Sequence, residues 1–253
     1  MKNELFLELE NLIFAPNNEV HRKDNFPLPV YFYIGTGKTG SRSIVSGLNK
    51  TSAHWHDEKY FERIYKTDIL HKNDIKLFDI ILYLSKKYKF KPLIIEAYRD
   101  PISISISSTF QRITTRKIKL KNDKDPNEVI QNIELYTPIP YSLKWNDYFK
   151  VDLLKQFNPK DKYLFINGKD ANLLFLRFEN INLWPKIFKK FGYIYTPLHE
   201  NKSSRKLGED VYNKVLNKYK LDESFLRNFY NNEIMNSIYL KSEIEGFINR
   251  WKK

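Results

Sequence analysis

Hydrophobic positions along this chain follow two patterns: short unbroken runs, and longer stretches with apolar residues three and four apart. The run Val30-Tyr-Phe-Tyr-Ile34 is β-branched or aromatic throughout, which suits a strand buried on both faces. From Ser41 the spacing of Ile44, Val45 and Leu48 predicts a helix, and Thr51 to Glu58 is read as a second strand. Asn73 is expected to cap a helix over Asp74 to Tyr88, before a third strand at Pro92 to Tyr98. Asp100-Pro101 then opens a helix despite the alternating Ser and Ile of positions 102 to 107. Farther on, Leu120 to Asn127 reads as a polar loop and Asn127 to Tyr136 as a short helix. The turn Asn167-Gly-Lys-Asp170 between two apolar runs, Lys162 to Ile166 and Asn172 to Phe178, is a hairpin signal. A helix through Trp184, Ile187, Phe188 and Phe191 is closed by Gly192, and amphipathic helices follow at Val211 to Tyr219, Ser224 to Asn231 and Ser242 to Trp251. Strands alternating with helices predict an α/β protein of three layers with a central, mainly parallel sheet and a helical C-terminal part, in one domain over residues 1–253.

Composition adds limits. No apolar run approaches the roughly 18 residues of a membrane span, and Met1 to Ala15 mixes Glu4, Glu8 and Glu10 with leucines as an amphipathic helix does. A cytoplasmic protein is expected. With no cysteine, disulfides and thiolate metal sites are excluded. The net charge of +13 favours polyanionic partners, among them nucleic acid, acidic glycans, nucleotides and anionic membrane, although enrichment in Lys and Asn reduces its weight.

Candidate chemistry gathers after the first strand. Gly35-Thr-Gly-Lys-Thr-Gly40 carries three glycines and Lys38 into the helix start Ser41-Arg42-Ser43. Unpaired N–H groups of a helix N-terminus, the lysine and the hydroxyls of Thr39, Ser41 and Ser43 make a cradle for phosphate or sulfate. Gly37-Lys38-Thr39 matches the end of the nucleoside-triphosphate P-loop, but its first glycine would fall on Phe32, inside the strand. His54 and His56 lie two apart, which in a strand puts both rings on one face beside the cradle; a general base or a structural pair fits, and a metal site lacks further ligands. Arg99 falls at the end of the third strand, where an open α/β sheet binds ligands, and offers a fork to a second phosphate; Ser107 lies two turns into the next helix. Glu96 is expected to pair with Arg99 or Lys38, or to act as a base. The aromatics of Tyr141 to Phe157 line a cleft or fill the core, and His199 to Lys206 is a second anion-friendly loop or a solvated charge run.

The order and spacing of Lys-Thr-Gly-Ser-Arg-Ser at 38–43 and Arg99-Asp-Pro with Ser107 resemble the two cofactor motifs of sulfotransferases that use 3'-phosphoadenosine 5'-phosphosulfate (PAPS). The stretches KWNDYFKVDLLKQF, LLFLRFENI and YLKSEIEGFINRW are similar to the bacterial branch of capsular polysaccharide synthesis proteins. That resemblance implies a P-loop-like sulfotransferase fold, with Gly37, Lys38, Thr39, Gly40, Ser41, Arg42 and Ser43 on the 5'-phosphosulfate and Arg99 and Ser107 on the 3'-phosphate. It implies His56, or His54, as the base on the acceptor hydroxyl, and Lys202, Ser204 and Arg205 as a loop over the 3'-phosphate and adenosine. A small nucleotide co-substrate, a glycan or glycolipid acceptor, peripheral association with a membrane-bound acceptor, no metal and no nucleic acid go with it. The chain departs from many relatives at Gly35-Thr36-Gly37, where they carry an apolar residue and Pro or Met before the lysine. The alternatives are a nucleotide or sugar kinase with a degenerate P-loop, which needs Mg²⁺ and an acidic ligand at a strand end, and a polyanion-binding module without activity.

Overall fold

A computed structural model describes residues 2–14, 30–48, 52–197 and 207–253. Its sheet has five strands, β1 (Tyr31–Ile34), β2 (Ser52–Trp55), β3 (Leu93–Tyr98), β4 (Tyr163–Asn167) and β5 (Asn172–Arg177), in the order β2-β1-β3-β5-β4. Pairings from β2 through β5 are parallel, and β4 joins the edge antiparallel through the expected hairpin. The first five helices are α1 (Lys2–Phe14), α2 (Ser41–Gly47), α3 (Glu58–Tyr65), α4 (Ile69–Lys72) and α5 (Leu77–Tyr88). They are followed by α6 (Pro101–Thr114), α7 (Pro126–Gln131), α8 (Asn146–Phe149), α9 (Leu153–Gln156) and α10 (Trp184–Lys190). The C-terminal part holds α11 (Glu209–Lys218), α12 (Glu223–Tyr230), α13 (Glu233–Ile238) and α14 (Lys241–Trp251).

Side chains alternate across the sheet, so each face builds its own core. Phe32, Ile34, Ile94 and Leu173 face α1, α3 and α5, while Tyr33, Ile95, Leu174 and Leu176 face α2 and α10. Helices therefore cover both faces, as three layers require. A third cluster joins α6 and Phe175 to the C-terminal helices through Ile106, Phe110, Tyr230, Met235 and Trp251. No helix among the described residues is long and apolar enough to cross a membrane.

Two expectations are corrected. Asn73 does not open α5: Asp74 takes a left-handed φ of 49° that breaks the path, and the Asn73 amide instead donates 2.9 Å to the Ile69 carbonyl at the end of α4. Helix α5 starts three residues later, where the Asp79 carboxylate accepts the Lys76 N–H at 3.0 Å. Helix α7 stops at Gln131, ahead of an extended segment whose Thr137-Pro138 and Pro140 cannot continue a helix. Of the two readings of the 141–157 aromatics, the fold bears out the core: Tyr141, Trp145 and Phe149 are at most 9% exposed, with Trp145 stacked on Phe78.

The crossover from β1 to β2 runs one way along the sheet, and the chain leaving β3 runs the other way, to the edge strand β4 and back through the hairpin to β5. The carboxyl ends of β1 and β3 therefore flank a topological switch point, the place where open α/β sheets bind ligands.

Candidate functional site

Position 35 must be glycine for two reasons. Its φ is 143°, and a Cβ there would lie 2.7 Å from Cγ and Oε1 of Glu96. Glu96 is 1% exposed and makes neither expected ion pair; its oxygens accept the backbone N–H groups of Tyr141 at 2.6 Å and Ser142 at 2.7 Å. Burial pushes its carboxyl up to about 7. Glu96 thus ties the start of the 141–149 segment beneath the turn and is covered too well to serve as a base.

The turn itself is braced from inside. Thr39 is fully buried, and its hydroxyl lies 2.5 Å from the Tyr33 hydroxyl and donates 2.7 Å to the Thr36 carbonyl. Its oxygen shapes the loop and is not presented to an anion. Lys38 adopts φ 71°, a left-handed conformation that costs a non-glycine residue on the order of 1 kcal/mol. Its carbonyl is held by Arg99 Nη1 at 3.1 Å. Gly40, at φ 85°, fits under Trp184, whose ring a Cβ would approach to 2.9 Å. Helix α2 then begins: its first intrahelical donor is the Ile44 N–H, on the Gly40 carbonyl at 3.0 Å, which leaves the N–H groups of Ser41, Arg42 and Ser43 ahead of the ladder. Arg42 is exposed, while Ser41 and Ser43 are each 7% exposed.

His56 follows β2 and reaches over this turn. Its Nδ1 lies 2.8 Å from the Gly35 carbonyl, which can only accept, so the neutral ring carries its proton on Nδ1 and leaves Nε2 with a lone pair. That edge of the ring lies against Gly37, where a Cβ would stand 3.7 Å from Cε1 and 4.0 Å from Nε2. Burial holds the His56 pKa below its usual value, with Lys38 and Arg63 adding to the effect against Asp57. The two histidines meet as expected, with ring centroids 4.6 Å apart. His54 is the inner one: burial, then His56 and Arg42, push its pKa down to about 3, and its Nε2 is buried without a partner among the described residues. It is neutral throughout the physiological range and supports the His56 ring.

Arg99, half-buried at the end of β3, stacks its guanidinium over Phe178, 4.3 Å from the ring centre. Behind it, Asp100 caps α6 through Ile102 and Ser103 N–H groups at 3.2 Å each, and also accepts from the Ser103 and Tyr230 hydroxyls at 2.6 Å and from Trp251 Nε1 at 3.1 Å. With its lone pairs so engaged, Asp100 has no oxygen to offer a metal ion. Ser107 lies two turns into α6 and is 3% exposed, so Arg99 is the accessible member of that pair. Lys202, Ser204 and Arg205 lie outside the described residues. Sequence reasoning missed Phe178 and Glu179, which the fold brings to Arg99 from the end of β5; the available signal was a charge directly after an apolar strand.

Fold and site define an α/β protein with a cationic turn and a second arginine at the switch point of an open parallel sheet. Compared with protein-family models, curated proteins and solved structures, the chain matches none of them.

Proposed function

We propose that this protein is a PAPS-dependent sulfotransferase acting on a hydroxyl or amine of a saccharide, with a P-loop-like sulfotransferase fold. One observation carries the reading: Arg99 of the second motif bonds the Lys38 carbonyl of the first at 3.1 Å, so both motifs border one surface at the switch point. A nucleotide with phosphates on both sides of its ribose would bridge the two motifs. The donor set fits such an anion: the Lys38 ammonium, the exposed Arg42, the Arg99 fork and the leading N–H groups of α2.

The co-substrate supplies the sulfonate. Lys38 neutralises the phosphate oxygen as its bond to sulfur breaks, and backbone N–H groups of the turn take charge that spreads onto the sulfonate oxygens. His56 Nε2, unprotonated and beside Gly37, takes the proton from the acceptor as the new sulfur–oxygen or sulfur–nitrogen bond forms. A glycan or glycolipid acceptor approaches from the His56 side, and no step calls for a metal ion. The kinase reading loses support because Asp100, the strand-end aspartate it would rely on, is committed to α6, Tyr230 and Trp251.

Calorimetry with adenosine 3',5'-bisphosphate, with and without Mg²⁺ and set against ATP, tests the reading. One equivalent should saturate the site without Mg²⁺, and ATP should bind more weakly. Preference for Mg²⁺–ATP, or binding only to long polyanions with a steep salt dependence, would sink it. In the transfer assay, Lys38→Ala should slow turnover on the order of a hundredfold or more, since one oriented donor is worth about 3 kcal/mol of barrier. The melting temperature should barely move, because alanine meets the same left-handed φ.

A further inference from the structure

Arg99 is aimed by a relay that starts in the C-terminal helices. Glu179, in the turn after β5, accepts the N–H of Asp100 at 2.8 Å through Oε1, which is the amide that directly follows Arg99. Its other oxygen accepts the Tyr239 hydroxyl at 2.8 Å. Tyr239 is 1% exposed, has the Arg177 guanidinium 4.4 Å above its ring, and sits between α13 and α14. The residue before Glu179 is Phe178, the ring on which the Arg99 guanidinium lies. One short turn therefore grips Arg99 twice, by its following peptide and by its charged head.

Neither grip is needed to close the sheet. The β3–β5 ladder pairs Leu93 through Tyr98 with Asn172 through Arg177 and ends before both residues. The α6 cap is likewise complete without Glu179, since Asp100 caps with its side chain. What the Glu179 contact fixes is the peptide plane between Arg99 and Asp100, and with it the direction in which the arginine leaves the sheet.

We propose that Glu179 is a positioning residue for nucleotide recognition: held by Tyr239, it sets Arg99 for the phosphate on the 3' side of the ribose, and so sets the preference for a 3',5'-bisphosphate over a 5'-monophosphate. This rests on the reading of Arg99 as the ligand of that outer phosphate. An arginine that is already oriented forms its two parallel bonds without first losing its own freedom, and a displacement of about 1 Å is enough to forfeit them.

The test is the ratio of dissociation constants for adenosine 5'-monophosphate and adenosine 3',5'-bisphosphate, measured by calorimetry on the full chain. Glu179→Ala should lower that ratio about tenfold by weakening the bisphosphate alone. Glu179→Gln, which keeps an oxygen for the Asp100 N–H, should restore most of it, and Tyr239→Phe should fall between them. A general loss of stability would weaken both nucleotides together and leave the ratio unchanged. If the wild-type chain prefers the bisphosphate but all three variants keep the wild-type ratio, the relay is wrong and the sulfotransferase reading stands. If the wild-type chain shows no preference, that reading fails and the relay fails with it. Unfolding of both Glu179→Ala and Tyr239→Phe would make the contact structural and overturn the proposal as well.

Discussion

The His56 ring shows how a neighbour of no charge can decide a residue's chemistry. A carbonyl cannot donate, so the 2.8 Å contact with Gly35 selects the tautomer with Nδ1 protonated and leaves Nε2 as the basic atom. Burial then lowers the pKa, which keeps the ring neutral at physiological pH. A base must be unprotonated to act, so turnover should rise with pH through a single limb lying below the unperturbed 6.5, and be flat above it. His56→Gln should abolish that limb and slow turnover by about 10² to 10⁴. A pH–rate profile from pH 4.5 to 8 checks both, and a limb that survives in the variant would move the role elsewhere. His54 cannot supply such a limb: with its pKa near 3, it is neutral across the whole profile.

At the scale of elements, α6 carries the most information per residue. Its alternating Ser and Ile imitate a strand, yet Asp100-Pro101 wins, because the carboxylate satisfies two N–H groups of the first turn and proline presets the helical φ. The same carboxylate also serves Tyr230 and Trp251, which are both fully buried. Asp100→Ala should therefore cost more than a lost cap of about 1 kcal/mol, since two buried donors are left unpaired at roughly 1 to 3 kcal/mol each. Urea denaturation should show a loss of at least about 3 kcal/mol, and a loss under 1 would mean that water replaces the carboxylate. The legibility of the fold followed the same division between local and distant causes. Strands β1 and β3, the hairpin and the start of α6 were readable because their signals lie within a few residues. Helix α13 is not legible although Asn232 caps it by accepting the Met235 N–H at 3.0 Å, because its six residues are too few to show a period. Thr39 and Glu96 are not legible for the opposite reason. Their partners, Tyr33 for one and the Tyr141 and Ser142 amides for the other, are chosen by the packed fold and leave no trace in spacing.

Across the whole molecule, the C-terminal helices are coupled to the sheet by polar contacts that reach the same strand ends as the candidate site. Arg177, the last residue of β5 and only 2% exposed, donates to Glu243 of α14 at 2.5 and 3.0 Å and to the Pro159 carbonyl at 3.2 Å. An ion pair with a buried arginine and a half-buried glutamate is weak evidence for stability, since desolvation offsets much of the attraction. Breaking one side is another matter. Glu243→Gln leaves the guanidinium charged without its carboxylate next to Tyr239, and should lower unfolding stability by about 3 kcal/mol and weaken the nucleotide preference, whereas Arg177→Met with Glu243→Leu replaces both charges by apolar volume and should regain most of the lost stability. Because Tyr239 also holds Glu179, the double variant separates two roles for this corner. If stability returns while nucleotide preference does not, the ion pair is there to fix the geometry of Tyr239 and, through it, Arg99. If both return together, the C-terminal helices contribute packing alone, and Glu179 needs only its bond to the Asp100 amide to do its part.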